Sequence, residues 1–398
     1  MNLNERIPAP GAVAQSTPQA KELIQRAEAL VPVLRSRVVE CQQARSVPAQ
    51  TIEDFRQAGF FRILQTSKYG GYEESPETLL KVLQILASGC PSSAWALMVI
   101  ALHNLEMEFM DPRCSEEVWG ENPDVRVSSS YVPFGKVVKT GGGYTLSGRW
   151  HYSSGSDHCQ WAVVGGMVDV GFESPEWKAF LVPRSDYIVD QDTWKVFGLA
   201  GSGSKDIVLN GEVFVPEYRT HTFVPARGQL PPPKPEHLPV NFKFPFDLVF
   251  RYAVAAVNLG MAIGALDVFR EQMRGRVSTF NSSEFVKNSP WVGHRVGLAD
   301  VKVACAKALM DADFAEMRTR IIAGEDVTSE ENPHFRYHAA YVGRLAEESV
   351  QYLFKAAGAR GILNDNPLQM FLRDVQAGAS HIVMDADNNS VIAGAFSI

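Results

Sequence analysis

The hydrophobic period of this chain changes twice, and that change constrains its fold more than any other feature. From Gln19 to Leu102 apolar residues recur at helical spacing, as in Leu23, Ala27, Leu30, Val33 and Leu34. From about Val125 to Pro216 they alternate in short runs such as VRVSSSYV, KAFLVP and EVFVP, with glycine-rich turns between them. From about Asp247 the three- and four-residue spacing returns in long stretches that read as bundle helices. Ser75-Pro76-Glu77 opens a helix, with proline early and an acid in the first turn. The expected fold class is α+β. A flexible tail (1–18) precedes an N-terminal helical domain (19–124), a central antiparallel β domain (125–227), a proline-rich connector (228–246) and a C-terminal helical bundle (247–398).

A chain of 398 residues, 45% hydrophobic and 21% charged, suits a large soluble enzyme subunit. Its net charge of −7 and the lack of a basic run argue against nucleic acid or an anionic membrane surface as partner. Cys41, Cys90, Cys114, Cys159 and Cys305 are odd in number and form no CxxC, which argues against a disulfide framework and a zinc site. His334 and His338 are four apart but have no third ligand in view, so no metal is expected. The N-terminus has no apolar core of a secretory signal, and no run of about 18 apolar residues is seen. The cytoplasm is the expected location.

The segment YTLSGRWHYSSGSDHCQWAVVGG, Tyr144–Gly166, carries the densest chemistry. Alternation stops at Ser153-Ser154-Gly155-Ser156, where small hydroxyls meet large aromatics. Locally this is either a hairpin edge or a turn that lets a planar ligand approach the backbone. Ser128, Ser129 and Ser130 pose the same choice between an exposed edge and hydroxyls used by a ligand. His103 ends an apolar helix, His381 follows a late helix, and Arg274 and Arg276 lie near the end of another. Gly201-Ser202-Gly203-Ser204 is followed by no helix, and no strand–GxGxxG–helix unit occurs, so no NAD(P)H site is evident.

Four more segments stand in order around that one: AGFFRILQTSKYGGYEES, VWGENPDVRVSSSYVPFG, VFGLAGSGSKDIVLNGEVFVP and AAGARGILNDNPLQMFLRD. Together the five resemble the acyl-CoA dehydrogenase superfamily over nearly the whole chain after the tail, which implies its helix–sheet–helix fold. The dehydrogenase branch places a glutamate shortly after an Arg-Asp pair. Here Arg373-Asp374 is followed by VQAGASHIVMDADNN, with His381 near that place. SSSY, WHYSSGSDH and the late histidine instead resemble the oxygenase components of two-component flavin monooxygenases, including hydroxylases of 4-hydroxyphenylacetate and of a phenolic seco-steroid.

That resemblance implies reduced FMN or FAD from a separate NAD(P)H-flavin reductase, with O2 as cosubstrate reacting at flavin C4a. Through a C4a-hydroperoxide one oxygen passes to a small aromatic substrate, a phenol at its ortho carbon. Indole and oxidation of an acyl thioester are the alternatives. By the same resemblance Ser154 lies beside flavin N5. Trp150, Tyr152, Ser153 and Ser130 line the flavin, and Ser129 and His103 position the substrate. His381 acts as base or orients the ring hydroxyl, and Arg274 or Arg276 meets the flavin phosphate, often across a subunit interface. A homotetramer is expected.

Overall fold

The computed structural model describes residues 17–227, 238–278, 285–325, 327–328 and 330–397. The expected tail, apart from residues 17–18, and residues 228–237 of the expected connector lie outside these.

Six helices come first: α1 (Pro18–Ser36), α2 (Val38–Ala44), α3 (Ala49–Gln57), α4 (Pro76–Ala87), α5 (Pro91–Glu106) and α6 (Pro112–Trp119). Ser75 caps α4 by accepting a hydrogen bond from the Thr78 amide, and Pro76 follows where no amide proton is needed. Helix α5 is buried along its entire length. A helix apolar on all sides belongs in a core, so the His103 and Glu106 that it carries are out of place unless they are paired.

Nine strands follow: β1 (Val127–Thr140), β2 (Gly143–Ser147), β3 (Arg149–Ser153), β4 (Trp161–Val168), β5 (Glu176–Pro183), β6 (Tyr187–Asp190), β7 (Lys205–Leu209), β8 (Val213–Pro216) and β9 (Thr220–Val224). They form a six-stranded sheet, β8-β2-β1-β4-β5-β9, and a three-stranded sheet, β3-β7-β6. One pair departs from the antiparallel expectation: β1 and β4 run parallel, with Val127 opposite Trp161. Alternation reports which face is buried and says nothing of a neighbour's direction. Strands β2 and β3 are consecutive but lie in different sheets, so Tyr144–Ser153 is no hairpin. Gly148 makes the crossing at φ +146°, and a Cβ there would stand 2.9 Å from the Cα of Gly135. Between the sheets lies a core that includes Tyr144, Leu146, Trp150, Phe180 and Ile207.

Helices α7 (Phe246–Arg274), α8 (Pro290–Ile322), α9 (Pro333–Ala357), α10 (Pro367–Ala379) and α11 (Ala386–Ser397) complete the fold. Against the expectation that no such run exists, α7 is long and apolar enough to cross a bilayer. Yet 89% of its most apolar window is buried inside the fold, so it is a core helix. It packs on α4, α5, α9 and α10, and one continuous core joins the N-terminal helices to the bundle. Helices α5 and α7, the turn after α10 and the strands β1 and β3 come together around one region, the candidate site.

Candidate active site

One end of this region is built on a bulge in β3. Trp150 pairs with Ile207, but the next pair is Ser153 with Lys205, and Tyr152 between them adopts φ +69°. That left-handed residue costs about 1–2 kcal/mol. It turns Tyr152 outward, 66% exposed, while Ser153 and Ser154 turn inward and are buried. Gly155, also at φ +69°, lies against α5, where a Cβ would be 3.0 Å from Ile100 Cδ1.

On α5 the Trp95 indole N–H donates to Ser154 Oγ at 3.1 Å. Ser154 and Ser204 share a hydrogen bond of 2.7 Å, and Ser204 and Ser202 share one of 2.8 Å. A hydroxyl donates once and accepts twice, so Ser154 keeps one position for a ligand. The buried hydroxyls of Ser153 and Ser156 have no hydrogen-bond partner in the protein. Unpartnered hydroxyls beside an exposed aromatic fit the polar edge and planar ring of a flavin.

The Trp95 ring is 6.0 Å from that of His381, which is 5.7 Å from Phe250 of α7. His381 caps a short 3-10 turn, and its Nδ1 accepts the Val383 amide at 3.3 Å. An accepting Nδ1 leaves the proton of the neutral ring on Nε2. Burial, reinforced by the charge of Arg251, pushes the His381 pKa down to about 4. At neutral pH this ring is an uncharged Nε2–H donor.

The other end lies two turns along α5, roughly 12 Å from Trp95 at the helical rise for eight residues. An aromatic wall leads to it: Tyr131 of β1 stacks on Phe223 at 4.4 Å and meets Phe246 and Phe250 edge-on. His103 is 2% exposed, with Nδ1 2.6 Å from Glu106 Oε2. The Tyr131 hydroxyl donates to the same oxygen at 2.6 Å, and His221 Nε2 of β9 lies 2.7 Å from Oε1. Burial opposes the charge of Glu106, but its hydrogen bonds with the two histidines prevail and hold its pKa at about 2. Tyr131 is pushed well above the usual phenol range by burial and by the facing carboxylate, so it stays a donor. His103 Nε2 is buried and has no hydrogen-bond partner.

Other expected residues lie elsewhere. Trp150 is fully buried between the sheets and donates to the Gly165 carbonyl at 2.7 Å; it packs the β core and does not face the candidate site. Ser130 donates to the His151 carbonyl, which commits its proton to a strut between β1 and β3. Ser129 faces Tyr131 within reach of its hydroxyl. Arg274 is exposed at the end of α7, about 36 Å from Phe250 at the rise of 24 helical residues. Arg276 donates to the Ala357 carbonyl at 2.8 Å. Neither arginine serves this site within the same chain, because α7 holds the two places at opposite ends. Asp157 braces the serine turn through Lys205 at 2.6 Å and Ser46 at 2.7 Å.

The sequence reading passed over Trp95, Tyr131, His221 and Phe250, and it weighed Ser204 only as part of a phosphate loop. It also missed Glu106, although a glutamate three residues after His103 on an apolar helix was a legible signal of a buried pair. His221 gave no such signal, since it reaches Glu106 from another layer, 115 residues away. Among the described residues no group of His, Cys, Asp and Glu is arranged to hold a metal ion.

Residues 252–386 match the family model described as acyl-CoA dehydrogenase, C-terminal domain. The oxygenase subunit HsaA of a flavin-dependent monooxygenase from Rhodococcus jostii (strain RHA1) is 34% identical, over 93% of this chain and 97% of its own. The oxygenase component of p-hydroxyphenylacetate 3-hydroxylase from Acinetobacter baumannii is 28% identical, over 94% of this chain and 88% of its own. The crystal structure of 3-HSA hydroxylase from Rhodococcus sp. RHA1 is similar with a TM-score of 0.87, at 34% identity, over 94% of this chain and 96% of that one.

Proposed function

Since the chain belongs to the family of oxygenase subunits of flavin-dependent monooxygenases, we propose that it hydroxylates a phenol held between Ser154 and His103. Reduced flavin, supplied by a separate reductase, provides the electrons that activate dioxygen when it is bound. The observation that carries the choice of a phenol is His103 Nε2, a buried ring nitrogen with no hydrogen-bond partner beside a group of aromatic rings. A phenolic O–H satisfies it, and its removal raises electron density at the ortho carbon.

Ser154 anchors the flavin edge, held in place by Trp95 and Ser204. His381, neutral and with its proton on Nε2, donates a hydrogen bond between the two ends. That assigns the base to His103 in place of His381. Ser129 orients the substrate beside Tyr131. The apolar walls exclude water. Arg274 or Arg276 serves the flavin phosphate of a neighbouring subunit in a homotetramer. The exposed Trp291, Val301 and Ile322 of α8 support assembly. A reducing cytoplasm suits five free cysteines.

The test supplies photoreduced FMN or FAD, ¹⁸O2 and a panel of phenols, and follows the products by mass spectrometry. A catechol carrying one ¹⁸O is expected, with no NADH consumed by the chain alone. Conversion of indole but of no phenol would overturn the substrate class.

A further inference from the structure

Glu106 is a buried carboxylate with three partners on three elements: His103 on α5, Tyr131 on β1 and His221 on β9. Their hydrogen-bond partners constrain where the protons sit. His221 Nδ1 lies 3.2 Å from the Thr222 carbonyl and Nε2 lies 2.7 Å from Glu106 Oε1. A carbonyl and a carboxylate only accept, so both ring nitrogens of His221 must carry protons. In that arrangement His221 is an imidazolium whose charge balances Glu106. Nearby on β5, Glu176 and Lys178 pair at 3.4 Å, and Glu176 takes the Thr222 hydroxyl. With one oxygen of Glu106 held by His221, the other receives Tyr131 O–H and His103 N–H. His103 is then neutral, with its proton on Nδ1 and its lone pair on Nε2.

We propose that Glu106 and His221 are positioning residues, a charge-balanced clamp that locks His103 into the one tautomer able to take a proton from the substrate. The proposal rests on the reading of His103 as base. In the step itself the phenolic O–H bond breaks, the Nε2–H bond forms and the electron pair stays on oxygen. Before transfer the site holds Glu106⁻, His221⁺, neutral His103 and neutral phenol. Afterwards it holds Glu106⁻, His221⁺, His103⁺ and phenolate, so the net charge stays zero. The carboxylate that fixed the tautomer also stabilises the imidazolium that forms. Without His221, Glu106 would draw its balancing proton onto His103, which would then be an imidazolium before substrate arrives.

Histidine-selective ¹⁵N NMR of the unliganded wild-type protein tests this without a substrate, with His221→Gln and His103→Asn used for assignment. The His221 ring should be doubly protonated at pH 7.5, and the His103 ring neutral with its proton on Nδ1. A neutral His221, or His103 with its proton on Nε2, overturns the clamp. A second measurement follows coupled hydroxylation of p-cresol and of a ring-fluorinated phenol that is already ionised at the assay pH. Glu106→Gln should lose about 10²–10⁴-fold on p-cresol, the range of a lost general base, and much less on the ionised phenol. His221→Gln should move the rise of activity to higher pH, and the double variant should partly reverse that move. Equal losses on both phenols with an unshifted pH profile mean that Glu106 only supports the fold. If instead His103→Asn hydroxylates p-cresol at the wild-type rate, the reading of His103 itself fails. If His103→Asn is dead while both clamp variants behave as wild type, only the clamp fails.

Discussion

The two ends of the candidate site are built from different materials. At the Ser154 end the protein offers neutral groups: an indole N–H, a file of serine hydroxyls and an imidazole kept uncharged by burial. At the His103 end it commits a full negative charge to the interior and surrounds it with donors. A neutral hydrogen bond contributes about 0.5–1.5 kcal/mol net. Removing one partner of a buried ion pair costs about 3–5 kcal/mol, because the other charge is left unpaired. The Ser154 end should therefore tolerate substitution with graded loss, and the His103 end should not.

The severest break of that comparison is His103→Asn. Hydroxylation should fall about 10²–10⁴-fold while flavin binding persists and hydrogen peroxide release rises, measured as product and peroxide per reduced flavin consumed. Next is Glu106→Ala, which leaves His221, Tyr131 and His103 without their acceptor. Unfolding in urea should show about 3–5 kcal/mol less stability, against less than about 1.5 kcal/mol for Ser154→Ala. Similar losses for the two would erase the distinction between the ends. In activity, Ser154→Ala should raise peroxide leakage several-fold to about tenfold, the effect of one hydrogen bond on a barrier. Trp95→Phe removes only the donor to Ser154 and keeps a ring beside His381, so its leakage should fall between that of Ser154→Ala and wild type.

The smallest effects separate the ends by pH. His381 is held down to about 4, below the ordinary histidine value. The unfolded chain therefore binds the proton first, and stability present above about pH 6.5 is lost as pH falls towards 4. Glu106 is held down to about 2. Its contribution is present above about pH 4.5 and is lost as pH falls through 2. Melting temperature against pH should flatten over the first window in His381→Asn and over the second in Glu106→Gln. If either variant flattens the other's window, the assignment of charge to the two ends is wrong.

The sequence by itself determined the layers. Where apolar residues fall at a period of 3.6 or of 2 decides which face is buried, and that is a property of each segment alone. Ser75-Pro76-Glu77 opened its helix as read, because a helix start needs only neighbouring residues. Ser154 stood out because two serines and a glycine broke an alternating run. Tertiary structure decided the rest. Trp150 and Tyr152 share one nominal strand face, yet a bulge at φ +69° sends Tyr152 into solvent and leaves Trp150 between the sheets. The parallel pairing of β1 with β4 depends on where two strands from distant parts of the segment meet. Arg274 lies at the far end of a helix whose start touches the site. The protonation of each histidine was hidden most deeply. His381 takes its tautomer from an amide two residues on, and His103 takes its own from a carboxylate whose countercharge comes from β9. A titratable group's state is set by what surrounds it in space at a few ångströms, and only the folded chain assembles those surroundings.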